Sequence, residues 1–287
     1  MQGTRKQEGG TLRQPNMNNE TERKFNSLKE NLGGRGSVLI AFSGGVDSTF
    51  LLKTASIIPN LNLLGVTALS STYPKSEQDE AVQLAKEMGV KHTLIDSEEL
   101  DIPQFADNNP DRCYHCKKEL FSKLKEIAKE NGLKYVLDGS NADDSSDYRP
   151  GSKAVAELGI KSPLQEAGLT KEEIRELSKE MGLPTWDKPA MACLSSRFPY
   201  GEKITKDKLA AIEEGERFLR GLGFRQLRLR HHGNIARIEL SKDDIKRVIE
   251  QNMSQQIIEK IKSLGFAYVT IDLEGYRTGS LNEVLPK

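Results

Sequence analysis

The sequence predicts an α/β fold built on a doubly wound parallel sheet, followed by a smaller C-terminal α+β unit. Three observations carry that prediction. Continuous apolar runs at residues 37–42 and 61–69 suit strands buried on both faces, as parallel strands are. Helical stretches alternate with these runs and close on glycine at Gly33 and Gly34, at Gly89 and at Gly132. After Gly201 the texture changes to a helix, two paired strands, two helices and a last strand, a unit of about 80 residues.

In chain order, Phe25, Leu28 and Leu32 recur at helical spacing and open the first helix. A strand at 37–42 leads into a helix over 47–57, and a strand at 61–69 into a helix over 77–88. A strand at 92–95, a helix over 120–129 and a strand at 135–137 continue the alternation. The stretch 170–181 opens with a capping-box pattern, Thr170 with Glu173, and stops at Gly182. The last unit reads as a helix over 206–219, strands at 226–230 and 235–240, helices over 243–250 and 254–264, and a strand at 268–273. These elements divide the chain near Tyr200 into units 21–200 and 201–287. Residues 1–20, polar and rich in Asn, Gln and Gly, read as a disordered lead.

Composition narrows the function. Lys and Arg number 42 and Asp and Glu 42, so net charge is zero, which argues against a dedicated nucleic-acid binder. No apolar run approaches the roughly 18–20 residues that span a bilayer, and the N-terminus lacks the apolar segment of a secretory signal. Three cysteines in such a chain point to the reducing cytoplasm, where clustered cysteines bind metal or do chemistry.

The string SGGVDS at 43–48 follows the first buried strand and opens a helix. Gly44 and Gly45 let backbone N–H groups approach an anion, Ser43 and Ser48 supply hydroxyls, and the helix N-terminus adds its dipole. Asp47 inside an anion site makes sense if it meets a metal ion such as Mg²⁺. The loop has no Walker lysine. The string DGSNADD at 138–144 reaches the same sheet edge, with Gly139 and Ser140 positioned to approach a nucleotide. Arg149 either offers charge to a phosphate nearby or is a solvated loop arginine. The loop resembles the PP-loop signature of N-type ATP pyrophosphatases, an adenine nucleotide alpha hydrolase-like group. That resemblance implies ATP cleavage between the α and β phosphates and an adenylated intermediate.

Cys113 and Cys116, in CYHC on a turn before a helix, stand about 80 residues from Cys193 in PAMACLSSR. A zinc half-site and a redox pair are both open readings. A third is a [4Fe–4S] cluster on three thiolates, which leaves one iron free of protein to bind hydrosulfide.

Taken together, SGGVDS, RCYHCKKELF at 112–121, DGSNADD, ELGIKSPL at 157–164 and KPAMACLSSRFPYG at 188–201 resemble the LarE family. LRLRHHGNIARIEL and DLEGYRTGSLN extend the likeness, which runs from about Asn26 to Asn282. LarE proteins are ATP-dependent pyridinium-3,5-biscarboxylic acid mononucleotide sulfurtransferases that help build the nickel-pincer cofactor of lactate racemase. The resemblance implies adenylation of a pyridinium carboxylate with ATP and Mg²⁺, then conversion to a thiocarboxylate. Some members sacrifice the sulfur of one cysteine, which matches Cys193; others add a CxxC pair and carry a [4Fe–4S] cluster. This chain has all three cysteines, as the cluster type does. By motif, Ser196 and Arg197 would bind substrate phosphate, and Arg228 and Glu239 would complete a phosphate or metal site, with a homohexamer as the assembly. For Arg228 and Glu239, a cross-strand ion pair is the plainer alternative. The sulfide source is not written in the sequence. A tRNA thiolase and a non-catalytic nucleotide sensor are the rival functions.

Overall fold

The computed structural model describes residues 18–146, 150–189, 192–277 and 279–284. Residues 1–17 of the expected lead lie outside these, as do Arg149, Ala190 and Met191. Helix α1 (Asn19–Gly33) begins inside the stretch that the sequence reads as disordered. Its start is set by Asn18, whose side chain accepts from Glu20 N, and by acidic Glu20 and Glu22 at the positive end of the helix dipole.

After α1 come β1 (Ser37–Ala41), α2 (Val46–Ser56), β2 (Asn62–Leu69), α3 (Lys75–Glu87) and β3 (His92–Asp96). A short α4 (Pro103–Ala106) precedes α5 (Arg112–Glu130), and β4 (Tyr135–Leu137) completes the first sheet. All four strands are parallel, in the order β3-β2-β1-β4. The chain steps outward from β1 to β3 and returns to β4 on the other side. The carboxyl ends of β1 and β4 therefore flank a crevice where such sheets bind ligands.

The pleat of β1 explains the double winding. Val38 and Ile40 join a core with Leu28 and Leu32 of α1, Leu51 and Leu52 of α2, and Leu177. Leu39 points to the opposite face and packs with Phe121, Leu124 and Ala128 of α5. Each fully buried Leu or Phe contributes about 1.5–3 kcal/mol. A continuous apolar strand is thus needed to cover both faces.

One placement is corrected. Cys113 and Cys116 do not sit on a turn ahead of a helix; they lie in the first turns of α5, which starts at Arg112. The last helix breaker is Pro110, so nothing delays the helix beyond it. Their i, i+3 spacing puts both thiols on one side of α5.

Between β4 and the next predicted helix the chain forms a 3₁₀ turn (Ala142–Ser146), α6 (Pro150–Glu157) and α7 (Pro163–Glu166). Helix α8 (Lys171–Glu180) carries the predicted capping box, with Thr170 and Glu173 each satisfying the other's backbone N–H.

The second sheet pairs β5 (Leu227–His232) antiparallel with β6 (Ile235–Leu240) and β6 parallel with β7 (Tyr268–Ile271). Helices α9 (Lys206–Gly221), α10 (Lys242–Glu250) and α11 (Ser254–Ser263) accompany it. Its core joins Leu209, Ile212 and Leu219 of α9 to Leu229, Ile238 and Ile261. Phe105, Leu194, Phe198 and the partly buried Cys116 pack into the same cluster. The cysteine-bearing segments thus lie at the junction of the two sheets. No helix of the described residues is long and apolar enough to cross a membrane.

Candidate active site

The loop 43–48 leaves β1 and enters α2. Gly44 has φ +70°, and a Cβ there would stand 2.9 Å from Ala81 Cβ, so a side chain would strain the backbone and strike α3. Gly45 is the N-cap of α2 and brings no side-chain cap, which suits a helix end that receives an anion. Ser48 Oγ lies 3.1 Å from Ser43 Oγ and donates to Gly45 O at 3.2 Å, closing the loop on itself. Gly139 meets the same helix end: a Cβ there would stand 3.1 Å from Ser48 N. Ser140 turns toward Asp138, donating from Oγ at 2.7 Å, and Ser162 Oγ donates to the same carboxylate at 2.6 Å.

Asp47, the expected magnesium ligand, is ion-paired: its Oδ2 lies 2.6 Å from Lys171 Nζ, and its Oδ1 accepts from Asn141 Nδ2 at 3.4 Å. Lys188 Nζ donates to Gly44 O at 3.3 Å while held by Glu77 at 2.6 Å and Glu80 at 2.9 Å. Two lysines therefore stand at the loop that sequence reasoning missed. The only signal in the chain was the absence of a Walker lysine.

The three thiols come from two segments stapled by buried polar contacts. Asn108 is fully buried at φ +57° and donates from Nδ2 to Phe198 O at 3.3 Å and Pro199 O at 2.7 Å. Its Oδ1 accepts from Arg112 Nη1 at 2.5 Å, and the Arg112 guanidinium lies 5.0 Å from the Tyr200 ring centre. On the other side, Leu194 N donates to Thr72 O at 2.7 Å, tying the Cys193 segment to the turn after β2.

Glu99 lies at the centre of this junction, almost wholly buried. It accepts from Ser70 Oγ, from Thr72 Oγ1 at 3.4 Å and from Cys116 Sγ at 3.7 Å. Burial pushes its carboxyl above the usual range, against the Ser70 bond. Burial pushes the Cys116 thiol well up, and the charges of Glu99, Cys193 and Cys113 push the same way. The Tyr73 phenol is likewise well above its ordinary value, first through burial and then through Cys193, Cys116, Glu99 and Cys113. Tyr73 as a whole leaves 38 % of its surface exposed. All three cysteines thus act on one neighbourhood, none of them in a disulfide. His115, between the two cysteines of CYHC, lies 3.3 Å from Asp111 through its Nε2. Among the described residues, no three His, Cys, Asp or Glu side chains are grouped tightly enough to hold a metal ion. The thiols fit a three-thiolate cluster in kind and number, and they are neighbours rather than a closed ligand set.

Tyr73 also joins this neighbourhood to the loop. It lines a cavity of about 100 Å³ with Phe42, Ser43, Thr67 and Leu124, and a larger one of about 320 Å³ with Ser70, Lys75 and Glu213.

Arg197 is fully buried. It forms a bidentate pair with Glu216 and donates from Nη1 to Ala192 O at 2.7 Å, Cys193 O at 3.1 Å and Ser196 Oγ at 2.9 Å. Arg228 and Glu239 are register partners across β5 and β6. Glu239 takes Arg230 in a fork, both contacts at 2.9 Å, and Arg237 at 3.0 Å. Arg228 stacks over Tyr276, its guanidinium 5.1 Å from the ring centre. Arg230 Nη1 reaches Ser196 O at 2.6 Å. Positive charge therefore gathers around Ser196, and burial together with the nearby Arg197 pushes the Arg228 guanidinium below its ordinary value.

No family model matches the chain. A pyridinium-3,5-bisthiocarboxylic acid mononucleotide synthase of Lactiplantibacillus plantarum is 43% identical over 253 residues, 87% of this chain and 90% of the relative. The chain belongs to the LarE family. An uncharacterized protein of Synechocystis sp. is also 43% identical, over 266 residues that make up 93% of this chain and 99% of the relative. A tRNA-specific 2-thiouridylase of Desulforamulus reducens is 27% identical over 195 residues, 53% of this chain and 52% of the relative. This LarE chain is thus an enzyme of the ATP-using PP-loop group, an ATP-dependent sulfurtransferase on the fold that its sequence predicted.

Proposed function

We propose that this LarE chain adenylates a carboxylate of pyridinium-3,5-biscarboxylic acid mononucleotide and replaces the activated oxygen with sulfur. The product would be a thiocarboxylate for nickel-pincer cofactor assembly. One observation carries the reading: Tyr73 lines the cavity beside Ser43 while its phenol lies in the field of Cys113, Cys116 and Cys193. An adenylate formed at the loop would not need to travel to meet sulfur.

A carboxylate resists sulfide because its oxygen leaves poorly and its charge repels the nucleophile. In the first step its oxygen attacks the α-phosphorus, the bond to the bridging oxygen breaks, and pyrophosphate departs with the electron pair. The loop N–H groups, Ser43, Ser48 and the α2 dipole oppose the charge on that leaving group. Magnesium, held by the phosphates and Asp47, would add Lewis-acid neutralisation. In the second step hydrosulfide attacks the acyl carbon, the carbon–oxygen bond breaks, and AMP leaves. Positioning alone contributes several kcal/mol to such a step.

Cys113, Cys116 and Cys193 are the residues that would hold a [4Fe–4S] cluster, whose fourth iron, free of protein, is able to carry hydrosulfide. Ser196 and Arg228 are the candidates for the substrate phosphate, supported by the positive charge gathered there. Three cysteines outside any disulfide suit the reducing cytoplasm. Family membership supports a homohexamer.

The test is an anaerobic assay with ATP, the biscarboxylate mononucleotide and sulfide, following AMP, pyrophosphate and thiocarboxylate. The reading expects all three together, over many turnovers. Cys113→Ala should keep pyrophosphate release and lose repeated turnover. One turnover with loss of the Cys193 sulfur would replace the cluster route by a sacrificial cysteine. Activity with tRNA in place of the mononucleotide would overturn the substrate.

A further inference from the structure

The SGGVDS loop has an electrostatic problem that its own residues do not solve. Asp47, the second residue of α2, puts a carboxylate at a helix end whose ligand is a polyphosphate. The loop carries no cation, yet pyrophosphate gains charge as it leaves.

Lys171 is placed to answer this. It is the first residue of α8, directly after the capping-box Thr170, and its backbone N donates to Asp143 Oδ2 at 2.8 Å. The backbone is therefore fixed at Thr170 and at Lys171 itself while the four-carbon side chain reaches across to Asp47 at 2.6 Å. Both side chains are partly exposed, at 31 % and 23 %, so solvent and ligand reach the pair. Lys188 differs. It is held by two carboxylates, Glu77 and Glu80, and bonds the Gly44 carbonyl, so it braces the loop from behind.

We infer that Lys171 is a catalytic residue of the adenylation step, which exchanges Asp47 for the phosphates of ATP and neutralises the departing pyrophosphate. In the free protein the ion pair keeps the Asp47 carboxylate from repelling the incoming nucleotide. Asp47 would serve as a ligand to the metal that accompanies ATP, which would leave the Lys171 ammonium within reach of the phosphates. The exchange breaks no covalent bond and moves no proton. This inference rests on the assignment of ATP to the loop.

Binding of metal-free ATP, measured by calorimetry in chelator, separates contact from scaffolding. In Asp47→Asn the ion pair is gone, so a further loss from Lys171→Met reports contact with the nucleotide. The double variant should bind at least tenfold more weakly than Asp47→Asn alone, and Lys171→Arg in that background should recover most of the loss. Pyrophosphate release by Lys171→Met with Mg²⁺ present should fall about 100-fold or more, as for loss of one preorganised donor. Equal ATP binding by Asp47→Asn and the double variant would overturn the inference. A wild-type protein that bound no ATP would instead overturn the loop assignment.

Discussion

Arg197 and Glu216 form a bidentate ion pair, Nε to Oε1 at 2.8 Å and Nη2 to Oε2 at 3.0 Å, with both side chains at 0 % exposure. The third arm of the guanidinium, Nη1, holds the carbonyls of Ala192 and Cys193. Glu216 also accepts from Arg220 and from Leu229 N. A residue read from its motif as a phosphate ligand thus anchors the Cys193 segment to α9.

Arg197→Lys should distinguish the two roles. A lysine keeps the charge for a phosphate but cannot fork onto Glu216 and reach two carbonyls. An anchoring role predicts faster alkylation of Cys193, by fivefold or more, a lower kcat for sulfur transfer and an unchanged KM for the mononucleotide. A rise in KM alone would restore the ligand role. Glu216→Ala should destabilise the fold by about 3–5 kcal/mol, since it leaves a buried charge uncompensated.

The same pair sets an acid limit. Burial pushes the Glu216 carboxyl up, but Arg197 and Arg220 more than offset this and hold it below its ordinary value. A lowered folded pKa gives stability that is present above the unfolded value, about 4.3, and lost as pH falls below it. Thermal melts of the wild type should therefore show a drop below about pH 4.3 that Glu216→Gln, already weakened at neutral pH, lacks in part.

The sheet was legible because its strands satisfy a simple demand. Val38, Leu39 and Ile40 are all apolar since both faces of β1 are covered, and glycines after α1, α3, α5 and α8 mark their ends. The loop was legible for a similar reason: Gly44 stands where a Cβ would strike Ala81. Pairings set by tertiary placement were not. Glu239 lies opposite Arg228 in register but bonds Arg230, because the arginine fork reaches along the strand. Glu99, Tyr73 and Lys171 belong to no local pattern, and only the packing of distant segments brings them to the site.

Asn108 should be needed to keep the two cysteine segments together. Asn108→Gly retains the positive φ and removes only the side chain, leaving Arg112 and the Phe198 and Pro199 carbonyls without their partner. Each buried group left unpaired costs about 1–3 kcal/mol. Sulfur transfer should fall at least tenfold while acceptor-dependent pyrophosphate release stays within about threefold, read in parallel assays. Equal loss of both activities would mean that the staple supports the whole fold rather than the thiols.

Cysteine reactivity should follow the local field. Cys113 is exposed, whereas burial and Glu99 push the Cys116 thiol well up. The thiolate is the reactive form, so at pH 8 Cys113 should be alkylated at least tenfold faster than Cys116 in the metal-free protein. Glu99→Gln removes the neighbouring charge and should speed Cys116 alone. Peptide mass spectrometry of timed iodoacetamide reactions reads both rates. Matching rates for the two cysteines would contradict the burial of Cys116.

Gly44 and Gly139 should each be intolerant of alanine, for different reasons. At Gly44 the left-handed backbone disfavours any side chain, and the added Cβ would also press on Ala81 at 2.9 Å. Strain of this kind costs about 1–3 kcal/mol. At Gly139 the backbone is unstrained, but a Cβ would sit 3.1 Å from Ser48 N and 3.3 Å from Ser48 Cα. There the neighbour is the backbone at the start of α2, which cannot give way without moving the anion site itself. Gly139→Ala should therefore weaken ATP binding at least tenfold with little change in melting temperature, whereas Gly44→Ala should lower both. Calorimetric titration of ATP beside a thermal melt checks the pair, and normal ATP affinity in Gly139→Ala would show that β4 and α2 part without disturbing the loop.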